Sequence, residues 1–171
     1  MDRDLQPVRA VHDAVDEALA PLARVHRERL QCRRGCSSCC VDDISVFEIE
    51  ADRIRAEYPA VLATALPHPP GACAFLGTEG ECRVYRARPY VCRTQGYPLR
   101  WAQIVPETGE PGEYRDICTL NDQPEAPLEA LGPDECWTLG PIEEVLRRLQ
   151  EARDGGKGRR VALRDLFARQ G

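Results

Sequence analysis

Cys32-Arg33-Arg34-Gly35-Cys36-Ser37-Ser38-Cys39-Cys40 places four thiols within nine residues. Five more cysteines follow, at 73, 82, 92, 118 and 136. Thiols this dense in a short chain point to a bound metal ion or metal–sulfur cluster. A disulfide framework fits less well. Nine is an odd number, Cys39 and Cys40 are adjacent, and the opening MDRDLQPVRA lacks the apolar run of an export signal. A reducing, cytoplasmic setting is expected. A single cysteine is by default a small buried hydrophobe, but a clustered set is poorly explained that way.

The rest of the chain is read around that cluster. Its 171 residues suit a single domain, 1–171. The cysteine-rich metal-binding core spans about 30–137, and a basic C-terminal tail runs over 147–171. Large apolar side chains are scarce: three Phe, two Trp and one Met. Prolines and glycines crowd the stretch from 59 to 141, which excludes long helices and long strands there. Metal ligation supplies what regular packing does not, because binding free energy can be folding free energy. The net charge of −5 argues against nucleic acid as a partner, since phosphate binding wants a concentrated basic surface. No run of 18 apolar residues is present to span a membrane. The expected partner is a protein, either a redox protein or an enzyme, and nothing in the sequence sets an oligomeric state.

Helical periodicity flanks the cysteines. Val8, Val11, Val15, Leu19, Leu22 and Leu30 make one apolar stripe and predict a helix over 7–31, kinked or broken at Pro21. Ser45 followed by Glu48 reads as a capping box opening a second helix that ends near Tyr58, before Pro59. Residues 60–66 suit a short further helical piece. Gly77-Thr78-Glu79-Gly80 is a turn signal between two short apolar runs, and predicts a hairpin of 72–76 with 81–85. A strand is expected over 100–105, a loop over 106–113 and a helix over about 141–153. The segment 154–160 reads as a flexible connector, followed by a final helix, or a strand and then a helix. The expected fold class is mainly α with a small β-hairpin: a compact, irregular, cysteine-rich, metal-centred domain flanked by N- and C-terminal helices.

Chemistry narrows the metal to two kinds. Tetrahedral zinc takes four thiolates, and so does an all-cysteine iron–sulfur cluster. The spacing Cys32-x3-Cys36-x2-Cys39 suits a cubane and also occurs in radical enzymes that cleave S-adenosylmethionine, but this chain has too few alternating strands and helices for their partial barrel. The adjacent Cys39-Cys40 pair says more. Neighbouring side chains point in different directions, so the two serve two nearby centres, or one ligates while the other packs. Spacing does not say which cysteines group together.

The string C-x3-C-x2-C-C, then Cys73-Ala-Phe-Leu, then Gly80-Glu-Cys82-Arg-Val-Tyr85-x2-Arg88-Pro89-x2-Cys92-Arg93, resembles the cysteine-cluster family of zinc- or iron-chelating domain proteins. The resemblance covers roughly residues 30–120. Members are small bacterial proteins often labelled iron–sulfur oxidoreductases, and a related segment in flagellin lysine methylases is associated with an iron–sulfur cluster. The resemblance implies a metal-ligand set of Cys32, Cys36, Cys39, Cys40, Cys73, Cys82, Cys92 and Cys118, with Cys136 an optional ninth thiol. It favours an iron–sulfur cluster, [4Fe–4S] first, in a redox, electron-transfer or accessory role. The alternative is Zn2+ held structurally in an interaction module.

Arg88 and Arg93 flank Cys92 and are expected to offset the negative charge of a thiolate centre. Tyr85 is expected to pack against the site. No catalytic residue set emerges: there is no H-E-x-x-H, no phosphate-binding glycine loop and no G-x-S-x-G. His12 and His26 read as solvated or packed, and His68 and Asp42-Asp43 as weaker ligand candidates. The basic residues from Arg147 to Arg164 read as a charged helix face and linker rather than a nucleic-acid contact, since no aromatics interleave them.

Overall fold

The computed structural model describes residues 4–167. In chain order it contains α1 (Gln6–Val25), β1 (Ser45–Phe47), α2 (Glu48–Glu57), α3 (Pro59–Thr64), α4 (Tyr90–Arg93), β2 (Leu99–Ile104), β3 (Pro111–Asp116), β4 (Trp137–Thr138), α5 (Pro141–Asp154) and β5 (Arg160–Ala162). Short 3-10 turns occupy Tyr85–Ala87, Leu128–Ala130, Pro133–Glu135 and Leu163–Phe167.

The expected mainly-α class with one hairpin is not what forms. Helix accounts for 41% and strand for 13%, in two small sheets. β1 pairs antiparallel with β5, 115 residues on, with Ser45 opposite Ala162. β3, β2 and β4 form the second sheet, where β2 is antiparallel to β3 and parallel to β4. Long-range pairing explains the difference. Ser45 does not cap a helix, because its carbonyl and hydroxyl accept from the Arg160 guanidinium at 2.6 and 3.3 Å. Helix α2 therefore begins three residues late, at Glu48. The expected hairpin of 72–76 with 81–85 shrinks to a single antiparallel bridge, Leu76 with Cys82. The hairpin that does form is β2–β3, and β3 takes up part of the proline- and glycine-rich stretch read as loop.

Two apolar clusters carry the packing. Val8, Val15, Leu19 and Leu22 of α1 meet Leu146 of α5, together with Phe47, Ile49 and Tyr90. The second cluster joins Val46, Ala51 and Ile54 to Phe75, Val84, Leu163 and Phe167, under the cysteine loops. The stripe on α1 is the one its spacing predicts, and the helix runs on through Pro21 to Val25. The predicted last helix forms as α5, and the strand-then-helix alternative for the C-terminus forms as β5 followed by a 3-10 turn. The basic tail is folded in as far as Phe167, and residues 168–171 lie outside the described residues. The connector after α5 is held by Asp154, whose carboxylate accepts from the amides of Lys157, Gly158 and Arg159. No helix among the described residues is long and apolar enough to cross a membrane.

Candidate metal centre

The eight clustered cysteines sit on turns and loops, apart from Cys92, which rides on the one-turn helix α4. All nine thiols are free. Two tight turns shape the opening run: the Cys36 amide donates to the Arg33 carbonyl at 2.9 Å and the Cys40 amide to the Ser37 carbonyl at 2.8 Å. The Cys73 amide reaches the Cys40 carbonyl at 2.9 Å, which lays the second cysteine segment beside the first. The Leu76–Cys82 bridge and the Arg83 amide on the Phe75 carbonyl, 3.0 Å, then bring Cys82 alongside Cys73. Gly80 permits a close crossing at this point, since a Cβ there would stand 2.7 Å from the Gly35 carbonyl oxygen.

Cys118 comes in through Asn121, which is fully buried. The Asn121 backbone amide donates to the Cys118 carbonyl at 2.7 Å. Its side-chain amide donates to the Gly96 carbonyl at 2.7 Å and lies 3.4 Å from Cys32 Sγ, while its Oδ1 accepts from the Gln31 amide at 2.8 Å. Gly96 has φ +91° and passes so near that a Cβ would lie 2.5 Å from Cys32 Sγ. One asparagine thus joins three separate segments. Sequence reasoning missed it, because nothing in the spacing of Thr119-Leu120-Asn121 marks it as a clasp.

The electrostatics follow this arrangement. Loss of solvent raises the Cys32 thiol, and the neighbouring Cys36, Cys118 and Cys39 raise it further, against the Asn121 amide. Burial pushes Cys92 up, with Cys73 and Cys82 adding to it. A hydrogen bond between Cys39 and Cys40 holds the first down to about 6 and pushes the second up; Cys73 and Cys82 also raise Cys40. Backbone amides offer compensation: Phe75 N–H faces Cys73 and Val84 N–H faces Cys82, each two residues past its thiol. Such amides stabilise a thiolate and orient it toward a metal.

Burial raises the Cys73 and Cys82 thiols too, and among the arginines Arg164 and Arg83 partly oppose this at Cys73, as Arg88 and Arg83 do at Cys82. Arg93 is turned elsewhere, into Asp16 on α1 and the Arg86 carbonyl. Arg88 also reaches Asp16, at 3.3 Å, and lies over the Tyr85 ring at 4.2 Å. Tyr85 itself is exposed rather than packed against the thiols.

The weaker ligand candidates are otherwise engaged. Asp42 accepts from Gly71 N–H and from Arg164, both of which hold its carboxyl below the usual value. The His68 ring nitrogen lies 3.1 Å from the Pro69 carbonyl. His26 donates to the Glu135 carbonyl at 2.7 Å, and His12 is buried against Glu50. The basic residues near the C-terminus are ion-paired: Arg147 and Arg148 with Glu144, Arg153 with Asp52, Arg164 with Asp42. Cys136 is buried, away from the other eight and near Arg115 and Arg100.

The donor set is therefore all thiol, which suits zinc or iron–sulfur chemistry and neither calcium nor magnesium. Among the described residues no three His, Cys, Asp or Glu side chains already close on one ion. The thiols sit on neighbouring short loops, and drawing them in would accompany binding. With N–H donors and guanidinium groups in place to offset thiolate charge, these residues fit a metal centre.

No curated protein and no solved structure matches the chain. A family model does, over residues 31–119, a span that holds the eight clustered cysteines and leaves out Cys136. That is just over half of the chain, and it belongs to the CxxCxxCC family, described as a "putative zinc- or iron-chelating domain".

Proposed function

We propose that this metal-chelating domain holds an iron–sulfur cluster on its clustered thiols and works in electron transfer, or as an accessory to a partner enzyme. One observation carries the reading: an all-thiol donor set, reaching from an exposed Cys32 to thiols packed against the apolar core, with backbone amides aimed at it and guanidinium charges nearby. Bound there, a cluster would supply one-electron redox chemistry at a potential set by its hydrogen bonds and exposure. The chain's own residues do the rest. Phe75 N–H and Val84 N–H orient the Cys73 and Cys82 sulfurs, Arg83 and Arg88 lower the cost of their negative charge, and Asn121 holds Cys32 at the solvent edge. The resemblance to the cysteine segment of flagellin lysine methylases supports iron–sulfur over zinc.

One observation favours the second reading, a structural zinc ion in an interaction module. Cys73 and Cys82 pack directly against the cluster formed by Phe75, Val84 and Phe167, where an ion would brace the fold. Anaerobic purification separates the two. Iron with acid-labile sulfide and a visible charge-transfer band supports the iron–sulfur reading. A colourless protein with stoichiometric zinc and no sulfide overturns it.

A further inference from the structure

The Cys39-Cys40 step divides the eight thiols between two separate sets of loop contacts. On one side, Asn121 ties the Cys32 segment to the Cys118 segment, and the turn from Arg33 to Cys36 keeps Cys36 near Cys32. Of these thiols Cys36 lines an open hollow of about 330 Å³, bordered also by Gln31, the neighbouring residues of its turn and Leu120, which is half exposed. On the other side, the Cys40 carbonyl receives the Cys73 amide, and the Leu76–Cys82 bridge places Cys82 next to Cys73. The 3-10 turn at Tyr85–Ala87 and Pro89 then return the chain so that Cys92 faces Cys73 and Cys82. Cys73 and Cys82 pack on the apolar core.

Cys39 and Cys40, whose thiols are hydrogen-bonded to one another, close the tight turn that begins at Ser37 and stand at the junction of the two sets, with Cys39 near Cys32 and Cys40 near Cys73 and Cys82. Each set then holds four thiols, the number that a tetrahedral ion or an all-cysteine cluster takes.

We infer that the chain builds two separate four-thiolate centres, an outer one from Cys32, Cys36, Cys39 and Cys118 and an inner one from Cys40, Cys73, Cys82 and Cys92. The inference rests on the reading that these thiols hold metal, and adds how many centres there are and which cysteines share each. The inner centre, on the core and beside Arg83 and Arg88, braces the fold. The outer centre, on the hollow, is the one that solvent, a chelator or a protein partner reaches. Cys39 also comes near Cys92, so the two centres lie side by side.

The test uses the full chain, stripped and refilled anaerobically, once with Zn2+ alone and once with iron and sulfide. Bound metal per chain is measured for Cys32→Ser, Cys118→Ser, Cys82→Ser and two double variants. Cys32→Ser and Cys118→Ser each halve the bound metal, and combining them removes no more than either alone. Combining Cys32→Ser with Cys82→Ser removes all of it. Should the Cys82 variants fail to fold, the two outer variants still decide. Total loss of metal from Cys32→Ser or Cys118→Ser means one shared centre and overturns the inference, as does no loss from either.

The two readings fail separately. Zinc that halves in this pattern, with no iron–sulfur cluster formed on refilling, leaves the partition standing and ends the iron–sulfur proposal. Complete loss of both iron and sulfide on a single substitution leaves the cluster standing and ends the partition.

Discussion

The helical side and the cysteine side of this molecule are held by different physics. Where α1 meets α5, apolar side chains at helical spacing interlock, and the backbone satisfies itself within each helix. Where the cysteines lie, backbone groups lack regular partners, and arginine and asparagine side chains serve instead. Arg83 donates to the carbonyls of Leu66 and Ala74, at 2.9 and 2.6 Å. Arg164 donates to the carbonyls of His68 and Ala72, at 2.6 and 2.8 Å, and Arg115 to those of Leu128 and Leu131, at 2.6 and 2.7 Å. Arg29 reaches Ala126 in the same way. A guanidinium carries five donors in a fixed fork and satisfies several loop carbonyls at once. The lesson is that a chain poor in large apolar residues can order long irregular segments with side-chain forks, leaving metal ligation to complete what they begin.

The largest effect that distinguishes the two sides is metal removal. Stripping the metal should raise amide hydrogen exchange across 31–43, 72–96 and 117–122 by orders of magnitude, because binding free energy there is folding free energy. Exchange in α1 and α5 should change little. Equal loss of protection in α1 would mean that the two sides fold as one unit and that the contrast is false. Next in size, Leu146→Ala on α5, where the side chain is 1% exposed, should cost about 2–5 kcal/mol by chemical denaturation. That cost should be the same with and without metal. A cost that shrinks on loading would show that the helical packing also depends on the metal.

These differences explain what could be read from the sequence. Periodic packing leaves a trace along the chain, so α1 and α5 were legible from Val8, Val15 and Leu19 and from Ile142, Leu146 and Leu149. The cysteines were legible because nine thiols in one chain have few other uses. The strand expected over 100–105 forms as β2, but β1 was not legible, because it exists only through its pairing with β5: Ser45 looks like a helix cap until Arg160 and Ala162 are beside it. Likewise Gly77–Gly80 looks like the tip of a hairpin, but the chain makes one bridge and then turns away at Tyr85. Asn121 and Arg164 were invisible as clasps, since each works by joining segments far apart in sequence, and one polar residue in a loop carries no periodic signal.

The loop side should respond differently from the helical side. Asn121→Ala leaves Gln31 N–H and the Gly96 carbonyl without their buried partner, at a cost of roughly 1–3 kcal/mol in the metal-free protein. Arg83→Ala, which releases the Leu66 and Ala74 carbonyls, belongs in the same range or just below it, since one of them is exposed to water. Both costs should shrink when metal is bound, because ligation then fixes the same loops. Denaturation of each variant with and without metal checks this, and equal costs in the two forms would remove the distinction drawn from Leu146.

The smallest effect at neutral pH lies on the helical side, in His12. His12 is fully buried in the α1 stripe. Its Nδ1 accepts from Arg53 at 2.9 Å, which leaves the proton on Nε2 to donate to Glu50 at 3.0 Å. The contact with Glu50 is therefore a hydrogen bond from a neutral ring rather than an ion pair. Burial lowers the His12 pKa below its ordinary 6.5, and although Glu50 opposes this, Arg93 and Arg53 add to it. A base whose pKa is depressed on folding binds fewer protons folded than unfolded. Its contribution to stability is thus complete above pH 6.5 and declines as pH falls below that value toward the folded pKa. Glu50 carries the same geometry to the cysteine side, since its carboxylate also accepts from the Tyr90 amide at 2.8 Å, at the start of the turn that presents Cys92. Denaturation of the metal-free chain between pH 8 and pH 5 should therefore show a steeper acid loss in the native sequence than in His12→Gln. Parallel pH profiles would mean that another group titrates, and that acid acts first on the loops.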